Sequence, residues 1–131
     1  MDNKFIDLHL HTTYSDGIFT TEQVANAASE MNLSAISLTD HDTIEGCSYL
    51  AEHCQEKGIE FISGTELSVD IEGYEMHLLG YFIDINNKRL INETTQYQQN
   101  RINRIIELVT QLKKMGIDLQ AEQVFNLAKC K

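Results

Sequence analysis

The sequence is poor in positive charge and contains no long apolar run. It has 10 Lys and Arg residues against 20 Asp and Glu, so its formal net charge is -10. This scarcity excludes a domain that grips nucleic acid by a broad basic surface, because phosphate neutralisation requires Lys and Arg. No apolar stretch approaches the ~20 residues of a membrane helix, and the N-terminus lacks a signal-peptide core. Proline and tryptophan are also absent, and neither absence indicates a function.

Several enzyme motifs are missing as well. The three cysteines, Cys47, Cys54 and Cys130, form no CxxC pair and no disulfide framework, so we expect a reduced, cytoplasmic protein. No GxxxxGK[ST], GxGxxG or GxSxG motif occurs, which excludes the usual nucleotide-binding loops and the serine-hydrolase elbow. The length of 131 residues is about half of the roughly 250 that a full (β/α)₈ barrel needs.

Strands and helices alternate in the first half of the chain. Strands are predicted over Phe5–His11 and Leu33–Thr39, and a third begins at Ile59–Ser63. Helices are predicted between them. This β-α-β-α-β order is typical of a parallel sheet with right-handed crossovers. The sequence therefore predicts an α/β fold.

Capping signals delimit these two helices. Thr20 and Gln23 resemble a capping box, and Asp42 and Glu45 resemble another. The second helix is expected to end near Gly58, which suits a left-handed terminus. The first helix presents one apolar stripe, formed by Val24, Ala27, Ala28 and Met31.

Alternating apolar residues on both sides of Glu72-Gly73 predict a β-hairpin. With a two-residue turn, Ser68 faces His77. Glu66 is then the diagonal neighbour of His77 on the same face, about 7 Å away. A register slip of one residue puts Glu66 and His77 on opposite faces, so this prediction depends on the turn.

The rest of the chain has helical periodicity. A long helix is predicted from about Arg89 to Met115-Gly116, and a short one from about Ala121 to Lys129. Two βα units followed by a hairpin and a long helix leave an open sheet edge, which is costly unless it is covered.

Metal-type ligands follow three consecutive parallel strands. His9 and His11 share one face at the end of the first strand, His41 follows the second, and Glu66 follows the third. The carboxyl ends of parallel strands form one rim, where α/β proteins place their active sites. Imidazole and carboxylate groups are common ligands of divalent metals. Their recurrence on three strands favours a metal site over solvated loop residues and helix caps.

Other polar residues carry weaker signals. His53 lies off the apolar stripe of its helix, so we expect it to be solvated. Cys47 and Cys54 share that stripe and are expected to be core thiols. Arg101 and Arg104 could reach a phosphate, but a solvated helix face is favoured for both.

The ordered motifs resemble the PHP (polymerase and histidinol phosphatase) family of metallo-phosphoesterases. The motifs are Asp7-Leu8-His9-Leu10-His11-Thr12, Tyr14-Ser15-Asp16-Gly17, Thr39-Asp40-His41-Asp42, Gly64-Thr65-Glu66 and His77. The resemblance implies an α/β fold that forms part of a distorted (β/α)₇ barrel. Residues 1–88 would be the N-terminal part of that barrel. Residues 89–131 resemble the start of a helical insertion in bacterial members that act on nucleotides or short RNA ends.

The resemblance also implies a ligand set and a chemistry. The first metal would be held by His9, His11 and Glu66, the second by Glu66 and His77, and the third by Asp16 and His41. The ions would be Zn, Mn or Fe. Asp7, Asp40 and Asp42 would orient imidazoles or cap the next helix. A metal-bound hydroxide would hydrolyse the phosphoester, so no side chain is needed as nucleophile.

The sequence departs from the family in one respect. Family members supply another His and an Asp-x-His near their C-terminus, whereas no histidine follows His77 here. Only the first metal keeps three protein ligands, so we expect fewer bound metals than three. We expect the N-terminal portion of a longer phosphoesterase, either truncated or encoded by a naturally shortened gene, and impaired in catalysis.

Its substrate would be a phosphorylated small molecule, a nucleotide or an RNA end, with no membrane involved. The alternative is a catalytically inactive metal-binding or assembly module that forms a homodimer covering the open sheet edge. A domain serving a polymerase is disfavoured because no polymerase sequence follows.

Overall fold

The computed structural model describes residues 5–128 and contains one sheet with helices packed against it. In chain order the elements are β1 (Phe5–Leu10), α1 (Thr21–Glu30), β2 (Leu33–Leu38), α2 (Gly46–Lys57), β3 (Glu60–Ile71), β4 (Tyr74–Tyr81), α3 (Lys88–Lys114) and α4 (Ala121–Ala128). The predicted α/β class is confirmed. Lys129, where the last helix was predicted to end, and Cys130 lie outside the described residues.

The sheet has the strand order β1-β2-β3-β4. Strands β1, β2 and β3 are parallel, as predicted, and β4 runs antiparallel to β3. The predicted third strand and the first hairpin strand are one continuous strand of 12 residues. At Gly64 this strand changes its partner from β2 to β4. A Cβ atom there would lie 2.7 Å from the Leu38 carbonyl oxygen, so the close approach of the backbones requires glycine.

The sheet curls into a half-barrel. The Tyr81 hydroxyl at the end of β4 donates a hydrogen bond of 2.9 Å to the Leu8 carbonyl oxygen on β1. These are the first and last strands of the sheet. The curl brings side chains of β1 and β4 towards the same place.

The hairpin has the predicted register. Ile71 pairs with Tyr74 and Ser68 pairs with His77. Both turn residues have positive φ angles, 55° at Glu72 and 86° at Gly73. Positive φ at both central residues is the requirement of the two-residue turn that matches the twist of a hairpin.

Helix α1 has the predicted N-terminal cap. The Thr20 side chain accepts from the Gln23 N–H, and the Gln23 side chain accepts from the Thr20 N–H. The predicted apolar stripe is partly wrong: Val24 and Ala28 are buried, but Ala27 is half-buried and Met31 is 67% exposed. Met31 is the C-terminal cap, beyond the part of the helix that faces the sheet, and Ala25 is buried instead.

The predicted capping box at Asp42 and Glu45 is wrong. Helix α2 begins at Gly46, and Glu45 at its N-cap makes no side-chain capping hydrogen bond. The Asp42 carboxylate instead accepts the Ser68 N–H of β3 at 2.8 Å, so a tertiary contact takes the side chain away from the helix. The predicted end of α2 is confirmed, because its C-cap is Gly58, with a left-handed φ of 67°.

The core lies between the sheet and helices α1 and α2. Its fully buried members include Ile36 and Leu38 of β2 and Leu50, Cys47 and Cys54 of α2. Both cysteines are free, which confirms the expectation of core thiols.

His53 lies apart from the core on the outside of α2. Its side chain is 31% exposed and its Nδ1 atom is 4.0 Å from Glu56 Oε2. Within residues 5–128, none of the helices combines the length and the hydropathy needed to cross a membrane.

Candidate metal centre

Six residues that the sequence predicts as metal ligands lie together at one end of the sheet. Three lie in strands and three in the segments that follow β1 and β2: His9, Glu66 and His77, and His11, Asp16 and His41. The chain leaves β2 and forms an isolated parallel bridge between His41 and Glu66. The structure thus brings these six positions together at one rim of the sheet.

Glu66 is the centre of this cluster. Its Oε2 atom lies 2.9 Å from His9 Nε2, 3.2 Å from His11 Nε2 and 3.9 Å from His41 Nε2. Its Oε1 atom lies 2.9 Å from His77 Nδ1, which is the neighbour predicted from the hairpin register. Both carboxylate oxygens therefore face imidazoles, while the Glu66 side chain is only 6% exposed.

The imidazoles keep this buried carboxyl ionised. Burial opposes its ionisation. The hydrogen bond from His9 and the charges of His41, His9 and His11 outweigh that effect and hold the pKa of Glu66 below its ordinary value. The group at the centre of the cluster is thus a carboxylate with two acceptor oxygens.

Asp16 approaches the cluster from the loop after β1. Its Oδ1 atom lies 3.2 Å from His11 Nδ1 and its Oδ2 atom 3.7 Å from His41 Nε2. The loop turns sharply, since the Ser15 and Gly17 N–H groups both donate to the Thr12 carbonyl oxygen. A Cβ at Gly17 would lie 2.4 Å from the His11 carbonyl oxygen, so this turn requires glycine.

Asp40 anchors the same loop. Its Oδ1 atom accepts the Thr12 N–H at 2.7 Å and the Ser15 hydroxyl at 2.6 Å, and its Oδ2 atom accepts the Thr12 hydroxyl at 2.6 Å. Asp40 is 1% exposed and Thr12 is fully buried. A buried carboxylate with three donors fixes the base of the loop that carries Asp16.

Two further acidic residues near the cluster, Asp7 and Asp42, also bind backbone groups. Asp7 Oδ1 accepts the His9 N–H at 3.1 Å. Asp42 accepts the Ser68 N–H and lies 3.0 Å from Arg101 Nε. These two carboxylates and that of Asp40 contact N–H groups, hydroxyls and a guanidinium. They therefore position the backbone of the rim.

The six residues form overlapping groups with the geometry of metal ligands. In each group the ligand atoms all lie within 4.8 Å of one another: His9, His11 and Glu66; His11, Asp16 and His41; His41, Glu66 and His77. Each of the predicted sets falls inside one of these groups. His11 and His41 belong to two groups each, so the geometry leaves open which ion each of them would serve.

The chemistry of the donors fits divalent transition metals. Imidazole nitrogens and carboxylate oxygens suit Zn, Mn and Fe. The centroids of neighbouring imidazole rings lie only 4.8 to 5.1 Å apart. One carboxylate cannot provide a partner for every nitrogen of these rings, whereas a cation held among them would bind their lone pairs. In the part of the chain that the structure describes, the buried Nδ1 atom of His41 has no hydrogen-bond partner, and that of His11 makes no aligned hydrogen bond although Asp16 Oδ1 lies 3.2 Å away. Such unpaired polar atoms are costly.

Sequence reasoning missed the residues that support the ligands. The Thr12 and Ser15 hydroxyls were not singled out, although both belong to recognised motifs. Arg101 lies on a solvated helix face as expected, with its side chain 54% exposed, but its Nη2 atom also donates to the Ser68 hydroxyl at 3.2 Å and its Nε atom faces Asp42. No local signal could reveal this contact, because it depends on where α3 packs.

Comparison with known proteins gives a family match over most of the chain. The sequence model of the family described as "PHP domain" matches residues 7–122 of this chain. This range includes all six clustered residues.

Curated relatives of the chain act on RNA and nucleotides. A 5'-3' exoribonuclease of Haemophilus influenzae is 32% identical over 114 residues, which is 87% of this chain and 42% of that protein. A 3',5'-nucleoside bisphosphate phosphatase of Chromobacterium violaceum is 31% identical over 112 residues, 86% of this chain and 39% of that protein. The chain thus spans less than half the length of these relatives.

Solved structures share the fold. An amidohydrolase from Chromobacterium violaceum with bound sulfate has a TM-score of 0.84 and 28% identity, over 96% of this chain and 44% of that one. A candidate metal-dependent phosphoesterase from Bifidobacterium adolescentis has a TM-score of 0.83 and 26% identity, over 98% of this chain and 44% of that one.

Proposed function

The chain belongs to the PHP domain family, and from that premise we propose that it forms the metal-binding part of a phosphoesterase that acts on nucleotides or short RNA ends. The observation that carries the proposal is the Glu66 carboxylate, which is nearly buried and faces four imidazoles with its two oxygens. The relatives that act on RNA and on a nucleoside bisphosphate support the substrate class.

We assign the ligands as follows. One divalent metal, Zn, Mn or Fe, is held by His9, His11 and Glu66; a second by Glu66 and His77; a third by Asp16 and His41. When bound, such cations supply Lewis acidity and lower the pKa of water to about 7, which makes a nucleophile available at neutral pH. The proposal needs no protein side chain as nucleophile.

The residues of the chain have distinct tasks in this scheme. Glu66 would contribute to two metal positions, because its two oxygens face different histidines. Asp40 holds the loop so that Asp16 lies beside His11 and His41. We assign residues 1–88 to the part of the barrel that carries the ligands and residues 89–131 to the start of the helical insertion.

Metal binding by the chain is the first test. We expect Mn²⁺ or Zn²⁺ to bind in equilibrium dialysis with metal analysis. Substitution of a residue that hydrogen-bonds a metal ligand lowers metal affinity about 10- to 100-fold. Glu66 is itself a proposed ligand, so Glu66→Gln should lower the affinity at least about 100-fold. Glu60→Gln is the matched control, since Glu60 is exposed on the same strand. A wild-type chain that binds no divalent metal contradicts the proposal.

Activity is the second arm of the same experiment. We propose that these 131 residues alone are impaired, because only one assigned ion has three protein ligands. Mn²⁺-dependent phosphate release from a nucleoside bisphosphate and from a 5'-phosphorylated oligoribonucleotide should therefore be far below that of any longer form of the protein. Full activity of the short chain would contradict the impairment and leave the metal assignment standing.

A second candidate function is favoured by the apolar surface of the sheet. Phe5 and Ile6 on β1 and Tyr74, Met76 and Leu78 on β4 are each more than half exposed. Exposed apolar patches on sheet edges mark interaction surfaces. The alternative is therefore an inactive metal-binding or assembly module that dimerises through these strands.

A further inference from the structure

Arg101 makes an ion pair that nothing in its local sequence suggests. Its Nε atom lies 3.0 Å from Asp42 Oδ2 and its Nη2 atom donates to the Ser68 hydroxyl at 3.2 Å. Across residues 5–128, it is the only ion pair between a carboxylate and a lysine or arginine. In a chain with 20 acidic residues, the position of this single pair beside the ligand cluster is informative.

The carboxylate that Arg101 contacts is buried within the rim. The Asp42 side chain is 3% exposed, and its other oxygen accepts the Ser68 N–H at 2.8 Å. The Asp42 N–H donates to the Glu66 carbonyl oxygen at 2.9 Å. Asp42 also follows His41 directly in sequence, so it connects the backbones that carry two of the proposed ligands.

The backbone at Asp42 needs this support. Its φ angle is 52°, in the left-handed region that L residues rarely adopt. A strained conformation of this kind persists only where surrounding contacts hold it. A buried carboxylate without its cationic partner is strongly unfavourable, so loss of Arg101 would favour movement of Asp42 towards solvent.

We propose that Arg101 is a positioning residue of the metal centre, acting through Asp42. The guanidinium links α3 to the segment after β2 and to β3, and thereby fixes His41 relative to Glu66. The geometry depends on the planar fork of arginine, which binds Asp42 and Ser68 with different nitrogens and which lysine cannot reproduce. This inference rests on the proposed metal-binding function.

The direction in which metal affinity changes when Arg101 is replaced distinguishes positioning from a direct effect of its charge. Removing a positive charge near a site for divalent cations should strengthen metal binding by Coulomb's law. Loss of positioning should weaken it. We therefore expect Arg101→Gln to raise the Kd for Mn²⁺ about 10-fold, the lower end of what partners of metal ligands contribute.

The control is Arg104→Gln, which removes the same charge one helical turn further along α3 and should not weaken Mn²⁺ binding. Arg101→Lys keeps the charge and should restore the affinity only in part.

In an Asp42→Asn background, Arg101→Gln should cause no further loss of Mn²⁺ affinity. Unchanged Mn²⁺ affinity in Arg101→Gln overturns the proposal. So does a variant that keeps its Mn²⁺ affinity and loses affinity for inorganic phosphate, since Arg101 would then be a phosphate ligand.

A measurement without metal keeps the inference testable if the proposed function fails. In EDTA, Arg101→Gln should accelerate amide hydrogen exchange at Asp42 and Ser68, whose N–H groups form the hydrogen bonds described above. Arg104→Gln should leave those rates unchanged. If the wild type binds no metal, the proposed function is wrong. If the exchange rates at Asp42 and Ser68 do not respond, positioning by Arg101 is wrong.

Discussion

At the scale of single residues, burial in an apolar core makes two of the three cysteines packing residues. Cys47 and Cys54 are fully buried in the core. Burial raises the pKa of Cys47 from 9.0 to about 11, and its thiol donates a hydrogen bond of 3.4 Å to the Gly64 carbonyl oxygen. Burial likewise raises the pKa of Cys54 to about 11. Both thiols should therefore be inert.

Thiol labelling tests this expectation. With pKa values of about 11, roughly one thiol in a thousand is ionised at about pH 8, and the thiolate is the reactive form. In a Cys130→Ser variant we expect no labelling by a disulfide reagent in the folded state, and labelling of Cys47 and Cys54 in concentrated guanidinium chloride. Rapid labelling of the folded variant would contradict the assignment of Cys47 and Cys54 as core thiols.

The raised pKa values of these thiols also predict that the free energy of unfolding falls as pH rises from about 9 towards 11, because ionisation favours the unfolded chain.

The positions of the clustered residues follow from simple rules, whereas their supporting contacts do not. His41 and Glu66 could be placed because the carboxyl ends of parallel strands meet at one rim. His77 could be placed because the hairpin turn sets its register. Arg101 could not be placed, since its contact with Asp42 depends on the direction in which α3 packs, and periodicity along a helix does not encode that direction.

At the scale of elements, the β3–β4 hairpin decides whether Glu66 and His77 meet. Its turn requires a positive φ at Gly73, where φ is 86° and a Cβ would find open space. Gly80, further along β4, is different. A Cβ there would make ordinary contacts at 3.6 Å or more, and its φ is not in the left-handed region. Gly73 in the turn and Gly80 in β4 therefore allow the effect of backbone conformation to be separated from the effect of packing.

Alanine substitution at these two positions gives opposite expectations. Gly73→Ala should lower the free energy of unfolding by about 1–2 kcal/mol, which is the cost of the left-handed conformation for an L residue. Gly80→Ala should leave it unchanged or raise it slightly, because alanine restricts the unfolded chain. Urea unfolding of both variants checks this. Equal destabilisation by the two changes would show that the turn conformation is not the cause.

Capping signals at the helix ends show where local rules hold and where they fail. Thr20 and Gln23 form the predicted capping box, in which each side chain accepts from the other residue's N–H group. Asp42 has the same local pattern with Glu45, but its carboxylate binds Ser68 and Arg101 instead. A cap contributes about 1 kcal/mol, and a buried carboxylate with two donors contributes more. The tertiary contact therefore prevails.

At the scale of the whole molecule, the sheet is curled but its apolar surface is incompletely covered. The Tyr81–Leu8 hydrogen bond brings the first and last strands together at one point. On the hairpin, Tyr74, Met76 and Leu78 lie on the face opposite to His77 and are 52% to 75% exposed. The sequence length predicted about half of a barrel, and the chain spans 42% and 39% of the lengths of two relatives.

Self-association is the expected consequence of this surface. If a second copy covers the apolar face of the hairpin, size-exclusion chromatography with light scattering should detect a dimer whose fraction rises with protein concentration. Leu78→Lys places a charge in the middle of that face and should shift the equilibrium to monomer. Ile18→Lys is the matched control, since Ile18 is 84% exposed in the loop after β1 and should not change the mass. A wild-type chain that stays monomeric at every concentration, with metal bound, would contradict the assembly alternative and leave the phosphoesterase assignment. Dimerisation that Leu78→Lys does not weaken would place the interface on another face of the molecule.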